Sequence, residues 1–303
     1  MSAKYLAGIA VLLLGCATPA LADDTCHLQL VTSLAMGIDR DGGVYVPMTV
    51  AGKQVNLLID TGGIDSMLDR STVDMLGLRK DAMGGGIHMT MFGGARIDSY
   101  ATAHDIILGT LKAPEMRFLI MPDGHTAPEV QGTLAPDVLR AYDDDFDFAG
   151  AKFNLISQDH CPGKVVYWTK DPPAEIQFYY TNITHVSFPV LLDGKQVTVE
   201  MDTGASRSVY SLEDAQSLFG FDAASPALVS LNDYAPGRSF KYPFKTMTFG
   251  GVSVANPDIV LVPDAVSRLS VNHIILGMGI LRQLHLYIAY HEKKLYVTPA
   301  SAH

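Results

Sequence analysis

Two short stretches carry residue types that could do chemistry: Asp60-Thr61-Gly62 and Asp202-Thr203-Gly204, 142 residues apart. Each follows an apolar run, Val55-Asn56-Leu57-Leu58-Ile59 in one case and Val197-Thr198-Val199-Glu200-Met201 in the other. An Asp there sits at a strand end, where the chain must turn. The Gly two residues on permits backbone conformations closed to other residues and a close approach by another backbone. The Thr hydroxyl can bond locally or across a symmetric contact. A single Asp-Thr-Gly is an ordinary turn composition. A pair brought face to face is different, because two adjacent carboxylates do not readily both ionise. One keeps its proton and the other is charged, which supplies an acid and a base in one place.

What would bring them together is a duplication. Residues 44–60 and 186–202 share a Pro, the tetrapeptide Gly-Lys-Gln-Val and a strand closing on Asp, all at the same spacing of 142. Leu139-Arg140 and Leu281-Arg282 repeat at that spacing. Between them Gly109 matches Gly250 and Pro122 matches Pro263, displaced by one residue. A repeat this long means one structural unit written twice. Each unit reads as many short strands joined by turn residues, with a β-hairpin just before the Asp. Helical signal is confined to segments near 71–76 and 212–218 and to short turns near 136–142 and 278–284. This points to an all-β sandwich or barrel built of two units. Expected boundaries are 1–22 for a leader, 23–161 for the first unit, 162–184 for a linker and 185–303 for the second.

At this point the pattern resembles the aspartic peptidases of the retropepsin and pepsin type. In them each lobe supplies a strand, Asp-Thr/Ser-Gly, a flap hairpin, then two apolar residues and Gly ahead of a short helix. The second unit matches with Asp202-Thr203-Gly204-Ala205 and Ile275-Leu276-Gly277. The first departs at Gly63 and Ile64, and at Ala135, which stands where the family has Gly. The resemblance implies a bilobal, pepsin/retropepsin-like acid-protease barrel with the active site between duplicated lobes. It implies that Asp60 and Asp202 activate a water against a peptide bond, the charged one as general base and the protonated one toward the carbonyl oxygen. Thr61 and Thr203 would brace the two loops, and Gly62 and Gly204 would permit their approach. No cofactor and no metal are implied, and the partner is a peptide or protein substrate. The alternative is a catalytically weak or inactive peptide-binding envelope protein that keeps the fold.

Other features bound the reading. A Gly-rich stretch from Met83 to Gly94 stands where a flap belongs, and 233–238 is its counterpart in the second unit. The 303 residues are 48% hydrophobic and 18% charged, so the chain can build a full core. A net charge of −10 without any basic run leaves nucleic acid no footprint. Lys4, the apolar run 5–14 and Ala20-Leu21-Ala22 read as a secretory signal. A second reading takes Leu13-Leu14-Gly15-Cys16 as a lipidation site, which would make the protein an envelope lipoprotein anchored at Cys16. Otherwise it is periplasmic or secreted. Either way an oxidising compartment favours a Cys26–Cys161 disulfide, and no other segment could cross a bilayer as a helix. A monomer with pseudo-twofold lobes is expected. Asp143-Asp144-Asp145 lacks the glycine and spacing of a calcium loop and reads as a solvated strand edge, and His285 as structural or surface. Ser206 and Ser208 lie in no nucleophile-elbow pattern.

Overall fold

The computed structural model describes residues 27–92, 94–231, 239–264, 269 and 271–300. The leader, Cys16, Cys26 and the 233–238 loop lie outside the described residues. Within them the chain is a two-lobe all-β protein, as the strand pattern indicated.

The first lobe closes on itself. Val44–Val50 and Lys53–Ile59 form the expected hairpin, with Tyr45 opposite Leu58. Lys53–Ile59 then runs parallel to Gly132–Leu134, which pairs antiparallel with Met67–Asp69. Met67–Asp69 lies parallel to Leu111–Met121, that strand turns back on Ser99–Leu108, and Ser99–Leu108 returns to the first strand through Thr49 and Ile107. Six strands thus make a barrel with no free edge, which satisfies the backbone groups an open sheet would expose. Strict alternation sets its interior: Val44, Val46, Met48 and Val50 are buried while the residues between them are half-exposed.

The second lobe repeats these pairings, with Lys195–Met201 between His185–Leu192 and His273–Leu276. One strand differs. The counterpart of the long strand Leu111–Met121 is broken into Val252–Ala255 and Ile259–Val262. The break is at Asn256-Pro257, where Asn256 takes a left-handed φ of 48° and Pro257 has no N–H for a ladder.

A six-stranded antiparallel sheet joins the lobes: Leu30–Ala35, Lys152–Ile156, Asp143–Asp147, Leu284–Ala289, Lys294–Pro299 and Ala174–Gln177, in that spatial order. At its centre Asp145 pairs with Tyr287. These two positions are 142 residues apart, so each unit pairs with its own counterpart, as a local twofold axis between the two strands requires. The repeated arginines clasp across the lobes. Arg140 donates to the Ile183 carbonyl at 3.3 Å and lies over the Tyr180 ring, while Arg282 reaches the loop at Gly42. The segment 162–184 contributes two strands, Ala174–Gln177 to the central sheet and Tyr179–Thr181 to the edge of the second lobe.

The acidic run corrects one expectation. Asp143, Asp144 and Asp145 are fully buried in the central sheet, not solvated at an edge. Asp143 takes bonds from His160 (2.6 Å) and the hydroxyl of Tyr287 (3.1 Å), and Asp144 from the hydroxyl of Tyr290 (2.7 Å). Asp145 takes bonds from Asn154, Tyr167 and His285, the last at 2.7 Å. His285 is structural, stacked on Trp168 with ring centres 4.2 Å apart. Their partners come from residues up to 147 positions away, so composition alone could not distinguish this network from a surface patch. The fit is the usual one for buried acids, which require hydrogen-bonded partners.

Candidate active site

Each Asp stands at the C-terminal end of a central barrel strand, where the backbone leaves the sheet. The Asp60 N–H donates to the Leu134 carbonyl (2.9 Å) and the Asp202 N–H to that of Leu276 (3.0 Å). The two loops meet on the pseudo-twofold axis. The Thr61 N–H donates to Thr203 Oγ1 and the Thr203 N–H to Thr61 Oγ1, both at 3.1 Å. Each hydroxyl in turn donates across the axis, Thr61 to the Met201 carbonyl (3.1 Å) and Thr203 to that of Ile59 (2.7 Å). Both threonines are buried. Four reciprocal bonds, all between residues about 140 apart in the chain, fix the loops against one another.

The glycines are open space taken up by the opposite carboxyl. A Cβ on Gly62 would sit 2.3 Å from Asp202 Cγ, and one on Gly204 would sit 2.6 Å from Asp60 Oδ1. The two carboxyl groups therefore lie side by side, each against the glycine of the opposite loop. Asp202 Oδ1 also accepts from the Gly204 N–H (2.8 Å) and the Ala205 N–H (3.2 Å). Burial, followed by the charge and hydrogen bond of Asp202, holds the Asp60 carboxyl well above the ordinary carboxylate range, against the N–H groups of Gly63 and Gly62. Asp202 is raised too, by burial first; the N–H groups of Gly204 and Ala205 oppose this and the nearby Glu200 charge adds to it. All six residues expected from the sequence therefore converge on one point.

Two of the departures in the first lobe, Gly63 and Ala135, face each other. Gly63 and Ala205 are matched positions, as are Ala135 and Gly277. A Cβ on Gly63 would lie 3.2 Å from the Ala135 Cβ, and one on Gly277 only 2.7 Å from the Ala205 carbonyl oxygen. In the first lobe Gly63 leaves room for the Ala135 methyl group, whereas in the second the backbone of Ala205 and Arg207 leaves no room for one at Gly277. Two serines complete the support, Ser66, which nothing in the sequence singled out, and Ser208, weighed there only as a nucleophile. Ser66 Oγ accepts the Ala135 N–H (3.0 Å), and Ser208 Oγ the Gly277 N–H (3.1 Å). Both are fully buried and stand six residues after their Asp, a matched pair that the repeat itself displays.

Above the carboxyls lies a cleft of about 610 Å³ between the lobes. Met89–Thr90 and Arg96–Ile97 pair as a small antiparallel hairpin within the Gly-rich stretch, and Met89, Met91, Phe92 and Ile97 line the cleft opposite the two Asp. That is the place of a flap. Its proposed counterpart at 233–238 lies outside the described residues. Glu200 and His185, which the sequence gave no reason to single out, also line the cleft, their side chains 2.7 Å apart.

Comparison with known families agrees with this geometry. The aspartyl protease family model matches twice, over residues 46–137 and 188–280, once in each lobe and together more than half of the chain. No curated protein matches closely enough to be called a relative. The duplicated match falls on the two barrels that deliver Asp60 and Asp202, and the chain belongs to the aspartyl protease family.

Proposed function

We propose that this chain is an aspartic endopeptidase that hydrolyses peptide bonds with water activated by Asp60 and Asp202. One observation carries the reading: two carboxyls from different lobes are held in contact by a reciprocal threonine brace, each facing the glycine of the other. The charged member of the pair serves as general base on the water. The two carboxyls, both raised by burial, share one proton as a coupled pair, and the protonated member donates toward the substrate carbonyl as the tetrahedral intermediate forms. Water is consumed, the C–N bond breaks, and the proton taken from water is passed to the departing amine. A flap over the cleft would exclude bulk water during these steps.

The pair works only while it holds one proton. As pH rises through the upper titration of the pair, that proton is lost and the rate falls. As pH drops through the lower one, the base is protonated and the rate falls again. Activity peaks on the acidic side of neutrality. Cleavage of an unfolded protein substrate by wild type, Asp60→Asn and Asp202→Asn, followed across pH, tests this. Each variant should lose at least about a thousandfold in kcat/KM, on the scale seen when one member of a catalytic set is removed. Full activity in either, or a rate still climbing in alkali, contradicts the dyad. Peptide binding without turnover by folded wild type would select the binding-only alternative.

We place the protein in the periplasm or outside the cell, with 1–22 removed and the lobes at 23–161 and 185–303. A Cys26–Cys161 bridge has support from register. Leu30 pairs with Ile156 and the Ser157 N–H donates to the Gln29 carbonyl, so the chain ahead of Gln29 runs toward Cys161. Intact mass of the exported protein, with and without reductant, decides among signal cleavage, a Cys16 lipid anchor and the disulfide.

A further inference from the structure

The two walls of the cleft descend from one ancestral unit but are no longer alike. Leu58, Ile64 and Met67 line it on the Asp60 side; their matched positions Glu200, Ser206 and Val209 line it on the Asp202 side. The strand Lys195–Met201 buries Val197, Val199 and Met201 in its own lobe. By alternation Glu200 faces the other way, onto the cleft wall two residues before Asp202. It is held there. His185 Nδ1 meets one carboxylate oxygen at 2.7 Å and the Thr181 hydroxyl donates to the other at 3.2 Å. The Glu200 side chain keeps 16% of its surface exposed, enough to meet a ligand and little enough to be covered by one.

The strap carrying these partners is under strain. Asn182 and Ile183 adopt left-handed φ values of 43° and 75°, and for a β-branched Ile that is a costly conformation. It is fixed from the other lobe, by Arg140 on the Ile183 carbonyl and by the Thr184 hydroxyl on the Gly63 carbonyl (3.3 Å). Strain that both lobes hold in place keeps His185 and Thr181 on the carboxylate. His185 Nε2 is buried and has no hydrogen-bond partner among the described residues. Arg207, the other charged group on this wall, is already engaged by Asp258 at 3.6 Å.

We infer that Glu200 makes the Asp202 side of the cleft a subsite for a basic side chain, lysine or arginine, opposite an apolar subsite on the Asp60 side. A peptide lying in the cleft strips water from Glu200. A covered carboxylate then favours a ligand that brings a cationic donor over one that brings methyl groups. The apolar wall, with Met67 joined by Met89 and Met91 of the hairpin, accepts varied aliphatic and aromatic side chains, since thioethers repack readily. This selectivity rests on the peptidase reading only in that the same cleft holds the peptide.

The test compares peptides differing at a single position, lysine against norleucine, with wild type, Glu200→Gln and Glu200→Leu, the last restoring the residue type of Leu58. The kcat/KM ratio of lysine to norleucine at the preferred position should be about tenfold or more in wild type, the worth of one charged hydrogen bond. It should fall to near one or below in both variants. The same ratio is read as Kd by fluorescence anisotropy on folded Asp60→Asn protein. A lysine preference in binding without any cleavage by wild type sinks the peptidase reading and keeps the subsite. Cleavage with no lysine preference, or a preference that survives both Glu200 variants, overturns the subsite.

Discussion

Gly62→Ala tests the closeness of the two carboxyls more sharply than removing either one. Its Cβ would be built 2.3 Å from Asp202 Cγ and 2.6 Å from each of its oxygens, against the 3.4 Å at which ordinary contact begins. The methyl group cannot be housed unless the loops separate or Asp202 rotates by roughly 1 Å. The brace resists separation: four hydrogen bonds made by Thr61 and Thr203 tie the two loops, and overpacking against such a frame costs about 1–3 kcal/mol of stability. A misplacement of about 1 Å at reacting groups costs roughly a hundredfold in rate. We expect kcat/KM to drop about a hundredfold at the pH optimum, with the variant folded and its urea midpoint lowered. Gly279→Ala is the control. Its Cβ would meet only the Ser206 carbonyl oxygen, at an ordinary 3.7 Å, in the short helix Met278–Leu281. It should retain activity within about threefold of wild type and lose no stability, alanine being the better helix former. Gly62→Ala protein that is folded and hydrolyses peptides within threefold of wild type would refute the claim that this glycine is the space Asp202 occupies.

Two further outcomes follow from the structure. Gly63→Ala puts a methyl group 3.0 Å from Asp60 Oδ2 and 3.2 Å from the Ala135 Cβ, and should cut activity; adding Ala135→Gly removes the second of these contacts and should restore part of it. A double-mutant cycle on kcat/KM that shows purely additive effects would deny the coupling. In the central sheet, burial holds the Asp144 carboxyl well above the ordinary range against the Tyr290 hydroxyl bond. Native protein therefore binds that proton more tightly than the unfolded chain. The stabilisation is complete below the ordinary carboxylate value and fades as pH rises toward the raised one, by about 1.4 kcal/mol for each unit between them. Asp144→Asn mimics the protonated acid, so its urea midpoint should fall less than that of wild type between pH 4.5 and 7.5. An unchanged pH slope would show that Asp144 is not held protonated.

Much of the site was legible because the chain displays it twice. Matched Asp-Thr-Gly triplets, each behind the same hairpin, told which residues would meet, and the alternation in Val44–Val50 told which faces would be buried. The matched serines Ser66 and Ser208 were equally visible, but their supporting role was not, because a buried acceptor for a backbone N–H has no local signature.

By itself the sequence determined the duplication, the all-β barrels and the pairing of Asp60 with Asp202. All of these are properties of residues close in the chain or of one stretch compared with its copy. Tertiary structure alone decided the rest. It buried Asp143, Asp144 and Asp145, whose partners include Tyr287 and Tyr290 of the other lobe. It set Gly63 against the methyl group of Ala135, two departures that are 72 positions apart in the chain. It set Glu200, read in sequence as one residue of an apolar strand, on the wall of the cleft beside His185. Burial, steric room and charge at a point depend on what packs there. In this protein those neighbours come from segments separated by as much as half the chain.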